Sequence, residues 1–304
     1  MTKSKTLRLM WNYRYLYLML LPGIAYYAIY KYAPMYGTII AFKDFNLGKG
    51  IFGSSWADPW YKHFKYFYDS PYFATILRNT LLISVYKMAW GIAPGIIFAI
   101  LLNEVRNKYF KRIVQTITYL PHFLSWVIIY GILIIFLSES TGLVNDLIRN
   151  LGGNNIPFLT STRWFRSILV GSEIWKEFGW NAIIYLAAIA GIDPTLYEAA
   201  RVDGAGRLRN IWHVTLPGIS NVIILLFILK LGHILEAGFD QIYIMYNVQV
   251  YSVADILDTY VFRTGLEQFN FSLASAIGLF KSFFGLLLVL TANKIAQRWG
   301  GGIW

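Results

Sequence analysis

The chain has 304 residues, of which 57% are hydrophobic, 18% aromatic and only 14% charged. Soluble domains carry about 25% charged residues, so this composition excludes an ordinary water-soluble globule and favours a membrane protein. Cysteine is absent, which excludes disulfides, thiolate nucleophiles and zinc–cysteine sites. The formal charge of +11 comes from bases at the ends of apolar runs, which favours anionic headgroups over nucleic acid as their partner.

Six apolar stretches have the roughly 20 residues that a helix needs to cross the hydrocarbon of a bilayer. The first follows a basic segment with Lys3, Lys5, Arg8 and Arg14, and it continues through bulky aromatics without a cleavage site. This first stretch is therefore predicted to be a retained helix and not a signal peptide. In chain order the stretches are about 16–41, 79–102, 114–136, 168–190, 222–237 with its flanks, and 272–292. The prediction is an all-α membrane protein with six transmembrane helices in a single domain, residues 1–304.

The distribution of bases predicts the orientation, because short cytoplasmic loops carry an excess of Lys and Arg. The turn 103–112 and the loop 191–217 are the two basic short connections, with Arg106, Lys108, Lys111, Arg112, Arg201, Arg207 and Arg209. Both termini and these two connections are therefore expected in the cytoplasm. The longer connections 42–78, 137–167 and 239–271 are expected outside, although Lys43, Lys49, Lys62 and Lys65 make the bias moderate.

The loop between the fourth and fifth stretches begins with two signals for a helix start. Asp193 can cap a helix that has Pro194 at its first position. Thr195 with Glu198 three residues later is the pattern of a capping box. The loop is therefore predicted to contain a short cytoplasmic helix with an acidic first turn.

The rest of this loop supplies a small-residue face and a stop. Leu196, Ala199 and Ala200 have helical spacing, and small side chains let a partner approach the backbone. Gly204 and Gly206 are expected to end the helix, since glycine accepts the positive φ of a C-terminal cap. A second amphipathic piece then leads to Pro217, which is expected to open the fifth span. The plainer alternative is an ordinary amphipathic connector.

The spacing Glu198-Ala199-Ala200, Gly204, Val214-x-Leu216-Pro217 resembles the EAA loop of binding-protein-dependent ABC importer permeases, with Val214 where the pattern usually has Ile. The resemblance implies a type I ABC importer permease fold with a core of about 73–292. It also implies that the loop 191–217 is the coupling helix that docks in a cleft of a cytosolic ATPase. The ATPase-coupling residues implied are Glu198, Ala199, Ala200, Asp203, Gly204, Leu216 and Pro217.

Other segments resemble the carbohydrate branch of this family, similar to polysaccharide permeases of the lipoprotein and alginate importer type. They are Tyr119-Leu120-Pro121 and the segment from Trp175 to Trp180, while the stretch 73–81 resembles the entry to the family's permease core. The resemblance implies a multi-pass subunit of the bacterial cell membrane that imports oligosaccharides. Its implied partners are a second related permease, two copies of a cytosolic ATPase and an extracellular solute-binding protein. ATP and Mg²⁺ would be bound by the ATPase, and this chain would need no cofactor.

Charged residues inside the apolar stretches predict a translocation path, because a charge at the bilayer centre costs about 2.5–3.5 kcal/mol and avoids lipid. Polar and aromatic residues at helical spacing suit a sugar, which needs hydrogen bonds and ring stacking. The predicted path residues are Glu173, Lys176, Trp180, Asn181, Lys230, His233, Glu236 and Lys281. The alternative is internal pairing, of Lys176 with Glu173 and of Glu177 with a base on a neighbouring span.

Catalytic and metal motifs are missing from the sequence. There is no GxxxxGK[ST], GxSxG or HExxH pattern, so the chain is predicted to be neither an enzyme nor a metal protein. Two other functions stay open: a permease for another solute such as glycerol phosphate, and a self-sufficient secondary transporter. Bases along the path would tolerate an acidic sugar such as a uronate oligomer.

Overall fold

A computed structural model describes residues 11–297, so the predicted cytoplasmic bases Lys3, Lys5 and Arg8 lie outside the described residues. This part of the chain is helical, as predicted. Its α-helices are α1 Arg14–Tyr27, α2 Ala33–Met35, α3 Gly50–Gly53, α4 Lys62–Tyr68, α5 Phe73–Glu104, α6 Lys108–Tyr119, α7 Trp126–Leu137, α8 Leu143–Asn150, α9 Phe165–Ala190, α10 Pro194–Val202, α11 Arg207–Asn210, α12 Leu216–Gly232, α13 Phe239–Met245, α14 Tyr251–Ala254, α15 Leu257–Phe262 and α16 Phe271–Gln297.

Short pieces of other structure interrupt this series. The 3₁₀ helices are Tyr36–Phe42, Leu120–Phe123 and Val248–Val250, and the π-helical turns are Ala28–Tyr32, Ile211–Thr215 and Arg263–Glu267. Two strands, β1 Lys43–Asp44 and β2 Ser55–Trp56, pair antiparallel.

Three helices of the described part are long and apolar enough to cross a membrane: Phe73–Glu104, Arg207–Gly232 and Phe271–Ile295. Two bent pairs raise this number to five if each is one span: Lys108–Phe123 with Trp126–Leu137, and Phe165–Ala190 with Pro194–Val202. The predicted first span, 16–41, is helical but passes from α1 through a π turn and α2 into a 3₁₀ helix. Pro34, which has no N–H to donate to the preceding turn, follows that π turn. Because at most five spans are counted among the described residues, six spans with cytoplasmic termini stay a prediction.

The third apolar stretch is not one straight span. The predicted stretch 114–136 consists of α6 and α7, which meet at an angle of 105° across the 3₁₀ turn Leu120–Phe123. Pro121 lies in this turn and cannot donate to the preceding one. The Ser125 hydroxyl then accepts from the N–H of Ile128 and starts α7 anew. The third predicted span therefore consists of two helices joined at a sharp bend.

The fifth span begins earlier and ends earlier than predicted. The continuous helical stretch starts at Arg207 and passes through the π turn Ile211–Thr215. The α-helix proper, α12, then begins at Leu216 with Pro217 in its first turn, as predicted. The α-helix ends at Gly232, and the predicted continuation to residue 237 is irregular. Ala237 and Gly238 have positive φ values of 49° and 89°. Ile234 and Leu235 are nevertheless buried, which explains why the apolar run extends beyond the helix.

The chain divides into two compact units. One comprises the described part of Met1–Asp69 together with Arg263–Leu279. Within it, the Lys43 ammonium donates to the carbonyl oxygens of Ile51 and Ser54 and lies 4.8 Å from the centre of the Trp56 ring. The Ser272 hydroxyl donates to the Lys43 carbonyl over 2.6 Å. These contacts fix the small β1–β2 hairpin.

The other unit comprises Ser70–Phe262 and the described part of Phe280–Trp304. Here α5 packs along α9, and Gly95 lets α9 approach, since a Cβ at this position would lie 3.3 Å from that of Asn181. Two buried clusters flank this contact. The first contains Ile83, Phe165, Leu169, Ala237, Ile242, Met245, Val250, Ala254 and Ile256. The second contains Ala99, Ala182, Tyr185, Ile189 and Ile219.

Candidate functional site

The predicted cytoplasmic helix is α10, and it starts where the sequence predicts. The Asp193 side chain accepts a hydrogen bond from the N–H of Thr195 over 2.9 Å, with Pro194 at the first helical position. This bond holds the pKa of Asp193 below its ordinary value, so the cap is ionised at neutral pH. Thr195 lies inside the first turn and is not the cap. The predicted Thr195–Glu198 capping box was therefore wrong.

The helix ends at one glycine and not at two. Gly204 has a φ of 75° and its N–H donates to the Arg201 carbonyl, while the N–H of Ala205 donates to the Ala200 carbonyl over 2.8 Å. This pair of bonds is a Schellman motif, which favours glycine at the left-handed position. Gly206 has a φ of −72° and precedes α11. The prediction for Gly204 is confirmed, and that for Gly206 was wrong.

Most of the coupling residues predicted on α10 are exposed, and exposed apolar side chains lie near them in the chain. Glu198, Ala199 and Asp203 are exposed, and Ala200 is half-buried. Apolar side chains nearby are largely solvent-accessible: Leu196, Val202, Leu208 and Trp212.

The inner side of α10 is tied to the fifth span by one hydrogen bond. The Tyr197 hydroxyl lies 3.0 Å from the hydroxyl of Thr215, which ends the π turn Ile211–Thr215. The sequence pattern did not predict this bond. It joins α10 to the helix that continues through Leu216 and Pro217 into α12.

A cavity of about 430 Å³ lies between α5, α9 and the segment from Leu226 to Gly238. Its polar lining consists of Ser84, Lys87, Glu173, Glu177, Asn181, Lys230, His233 and Glu236. The structure thus brings together five predicted path residues (Glu173, Asn181, Lys230, His233 and Glu236) and adds three that were not included in that prediction. Lys176, Trp180 and Lys281 do not line it.

Lys87 is held by the protein at the wall of this cavity. Its ammonium donates to the carbonyl oxygen of Ala237 over 2.9 Å and to the side-chain oxygen of Gln241, and lies 3.6 Å from the Glu173 carboxylate. A Cβ at Gly238 would come within 2.6 Å of the same nitrogen. The positive φ of Gly238 and the position of Lys87 therefore both require glycine here. This arrangement connects α5 and α9 to the irregular segment after α12.

Lys176 lies outside the cavity lining, at the bend between α6 and α7. It is 9% exposed, and its ammonium donates to the carbonyl oxygens of Pro121, His122 and Leu124. The alternative prediction of a Lys176–Glu173 pair was wrong, because the carbonyl oxygens at the bend take its donors. Lys176 thus stabilises the broken backbone, and nothing in its contacts supports a place on the path.

Glu177 and Trp180 both contact His122 in the same turn. The Glu177 carboxylate is 2.9 Å from Nδ1 of His122, which confirms the predicted pairing of Glu177 with a base on a neighbouring span. The Trp180 ring stacks on the imidazole with 4.3 Å between centroids and 1° between planes. Trp180 therefore supports the His122–Glu177 pair and lies outside the cavity lining.

The remaining cavity charges differ in how far the protein satisfies them. His233 is 3.0 Å from Glu236, whereas Lys281 pairs with Asp258 over 2.7 Å, outside the lining. Lys230 is exposed at the cavity and makes no hydrogen bond or ion pair with any residue between 11 and 297. Lys230 is therefore the lysine of this lining that is available to a ligand. The described residues hold no cluster of three metal ligands.

Comparison with known sequences adds a family to this geometry. The family described as "Binding-protein-dependent transport system inner membrane component" matches residues 91–300. The chain is 48% identical over 287 residues to the polygalacturonan/rhamnogalacturonan transport system permease protein YteP of Bacillus subtilis, covering 94% of this chain and 89% of that protein. It is 46% identical over 285 residues to protein LplB of the same organism, with the same coverage.

Two crystal structures are similar over nearly the whole chain. One is a bacterial ABC transporter involved in the import of the acidic polysaccharide alginate, with a TM-score of 0.88 and 40% identity over 97% of this chain and 99% of that one. The other is a bacterial alginate ABC transporter in complex with an alginate pentasaccharide-bound periplasmic protein, with a TM-score of 0.87 and 40% identity over 96% of both chains. At this similarity these chains share one fold.

Proposed function

The chain belongs to the family of binding-protein-dependent transport system inner membrane components, and we propose that it forms one half of a translocation path for acidic oligosaccharides. It is a membrane-embedded permease subunit of a bacterial ABC importer, as its EAA-like loop predicted, and it is not itself an enzyme. It works with a second permease, an ATPase and a solute-binding protein. In this proposal the ATPase binds ATP and Mg²⁺.

One structural relationship carries the proposal: a single helical segment reaches from the cytoplasmic loop to the cavity. The Tyr197 hydroxyl connects α10 to Thr215. From there α12 runs to Leu226, Leu229 and Lys230, which line the cavity. A displacement of α10 by the ATPase would therefore be passed along α12 to the cavity wall. The coupling residues are Glu198, Ala199, Ala200, Asp203, Gly204, Leu216 and Pro217.

The substrate class is inferred from the cavity and from the relatives. The lining offers hydroxyl, amide, carboxylate and ammonium groups, which suit the hydroxyls of a sugar. Lys230 supplies a free cation for a uronate carboxylate. One relative is a polygalacturonan/rhamnogalacturonan permease, and one similar structure belongs to an importer of the acidic polysaccharide alginate. We assign Glu173, Asn181, Lys230, His233 and Glu236 to the path.

The test is ATP hydrolysis and uptake by the complete importer in proteoliposomes, with the binding protein loaded with an oligogalacturonate. The loaded protein is expected to stimulate both activities. Glu198→Lys, on the exposed face of α10, is expected to abolish the stimulation because it reverses a charge at the ATPase contact. Glu139→Lys is the control and is expected to behave as wild type, since Glu139 is also exposed and lies in the connection after α7.

Two outcomes would overturn the proposal. Uptake that continues without ATP would identify a secondary transporter. Stimulation by a binding protein loaded with a phosphorylated small solute such as glycerol phosphate, and by no oligosaccharide, would identify a permease for another solute.

A further inference from the structure

Five aromatic rings form a continuous cluster directly after the cavity-lining segment. Phe239, Tyr243 and Tyr246 follow one another at i, i+4 and i+7, so they share one side of α13. Phe239 stacks on Tyr243 with 5.3 Å between centroids, and Tyr243 is 4.7 Å from Phe262 of α15. Tyr246 stacks on Tyr251 at 4.8 Å. Three short helices, α13, α14 and α15, thus present their rings to one another.

One end of the cluster is packed against the core and the other end is partly exposed. Tyr246 packs against the core formed by Ile83, Phe165 and their neighbours. Tyr243, in contrast, is 38% exposed, and Phe239 and Phe262 are only half-buried. We call the exposed end, formed by Phe239, Tyr243 and Phe262, the aromatic platform.

The platform adjoins the cavity. Glu236, Ala237 and Gly238 line the cavity, and Phe239 is the next residue of the chain. Gly238 has a left-handed conformation, which turns the chain from the cavity wall directly into α13. The first ring of the platform, Phe239, is therefore directly adjacent along the chain to the cavity wall.

Polar groups lie beside the rings. Asp258 precedes Phe262 by one helical turn on α15, so both project from the same side. Its carboxylate is paired with the Lys281 ammonium over 2.7 Å, and both side chains are about one-fifth exposed. Burial raises the pKa of Asp258, and the charge of Glu236 at the cavity edge acts in the same direction. Apolar ring faces and accessible hydrogen-bonding groups are thus combined at one place.

We propose that Phe239, Tyr243 and Phe262 are a stacking site for a pyranose ring of the transported oligosaccharide, just outside the cavity. This proposal rests on the proposed function. A pyranose has one face of C–H groups and a rim of hydroxyls, so the face packs on an aromatic ring while the rim makes hydrogen bonds. The platform offers the rings, and Asp258 and Lys281 offer partners for the rim. It binds the part of a long oligosaccharide that the cavity does not hold.

The experiment compares a short and a long oligogalacturonate in the complete importer with its binding protein. Tyr243→Leu and Phe262→Leu remove a ring and keep apolar volume. Each is expected to lower uptake of the long oligogalacturonate roughly three- to tenfold, which corresponds to the contribution of one aromatic contact. Uptake of the short one is expected to stay at the wild-type rate. Tyr243→Phe retains the ring and is expected to transport both.

Phe283→Leu is the matched control, since Phe283 is an exposed aromatic of α16 outside the platform. The proposal is overturned if the Leu variants reduce uptake of both lengths equally, as an anchor in the bilayer interface or a packing residue would. It is also overturned if they transport the long substrate like Phe283→Leu. If the wild-type importer itself takes up neither substrate, the proposed function has failed, and that result is recognised before any variant is compared.

Discussion

The ammonium group of Lys176 donates to the carbonyl oxygen of Leu124 over 2.8 Å, at the bend that divides the third apolar stretch. The bend leaves backbone carbonyls without helical partners, and such groups must be satisfied where water is absent. A lysine from α9 supplies these donors, reaching also the carbonyls of Pro121 and His122. A charge inside a span that suggested substrate contact is thus explained by the path of the backbone.

Lys176→Met is therefore expected to destabilise the permease and not to change its substrate preference. Methionine fills the space but leaves the carbonyls of His122 and Leu124 without this donor, at a cost of about 1–3 kcal/mol for an unsatisfied buried group. The Pro121 carbonyl still accepts from the N–H of Leu124. Thermal unfolding of the purified complex measures the effect. Lys65→Met, at an exposed lysine of α4, should leave the melting temperature unchanged. An unaltered melting temperature in Lys176→Met would contradict the assignment.

Gly179 is predicted to tolerate no side chain. A Cβ at this position of α9 would overlap the backbone carbonyl of Thr118 in α6, which cannot move as a flexible side chain can. Gly179→Ala is expected to cost about 1–3 kcal/mol through overpacking. Gly171→Ala on the same helix meets nothing within 4 Å and is the control. Yield and melting temperature of the two variants should differ clearly; equal values would mean that α6 and α9 separate at little cost.

The end of α10 allows a test of coupling with two neighbouring glycines. A Cβ at Gly204 or at Gly206 would meet no atom within 4 Å, so sterics are equal and only φ differs, at 75° and −72°. Gly204→Ala is expected to disturb the helix end, since a left-handed residue with a side chain costs about 1–2 kcal/mol. Stimulated ATP hydrolysis should fall in Gly204→Ala and persist in Gly206→Ala. The reverse order would show that the Schellman ending does not matter for docking.

Local signals made much of the fold and of the coupling loop predictable. Span length follows from apolar composition, and the start and end of α10 follow from Asp193 and Gly204, whose effects extend over a few residues. Pro121 within the third stretch was a visible signal for the bend, but the apolar residues on both sides concealed it. Gly232 and Gly238 likewise marked the irregular end of the fifth span. The buried Ile234 and Leu235 continued the apolar run and hid that end.

The partners of charged side chains were less predictable, because they come from distant parts of the chain. Lys176 contacts carbonyls more than fifty residues away, and Lys87 contacts Ala237 and Gln241 about 150 residues away. Backbone carbonyls carry no sequence signature, so no pattern of residue types reveals these contacts. Spacing within one helix, in contrast, was informative for Glu173 and Asn181. The aromatic spacing of α13 was an equally readable signal that the site prediction did not use.

Lys230 provides the sharpest test of the acidic substrate. Two lysines among the described residues line the cavity, Lys87 and Lys230. The ammonium group of Lys87 already contacts the Glu173 carboxylate, a backbone carbonyl and an amide oxygen. Three glutamates share the lining, so the cavity is not broadly cationic. In the proposed path, recognition of a carboxylate would therefore depend on Lys230. Lys230→Gln is expected to lower uptake of oligogalacturonate roughly tenfold, through loss of one charge-assisted hydrogen bond. Lys230→Arg should retain uptake.

A methyl-esterified oligogalacturonate separates charge recognition from a general defect, because its carboxylates are neutral while its sugar rings are the same. Lys230→Gln is expected to transport this ester at the wild-type rate, since no ion pair is lost. The binding protein is identical in every assay, so its own preference cancels when each variant is compared with wild type on one substrate. Lys65→Gln supplies the control for loss of an exposed lysine. If Lys230→Gln slowed the ester as much as the acid, Lys230 would stabilise the cavity and would not select the substrate's charge.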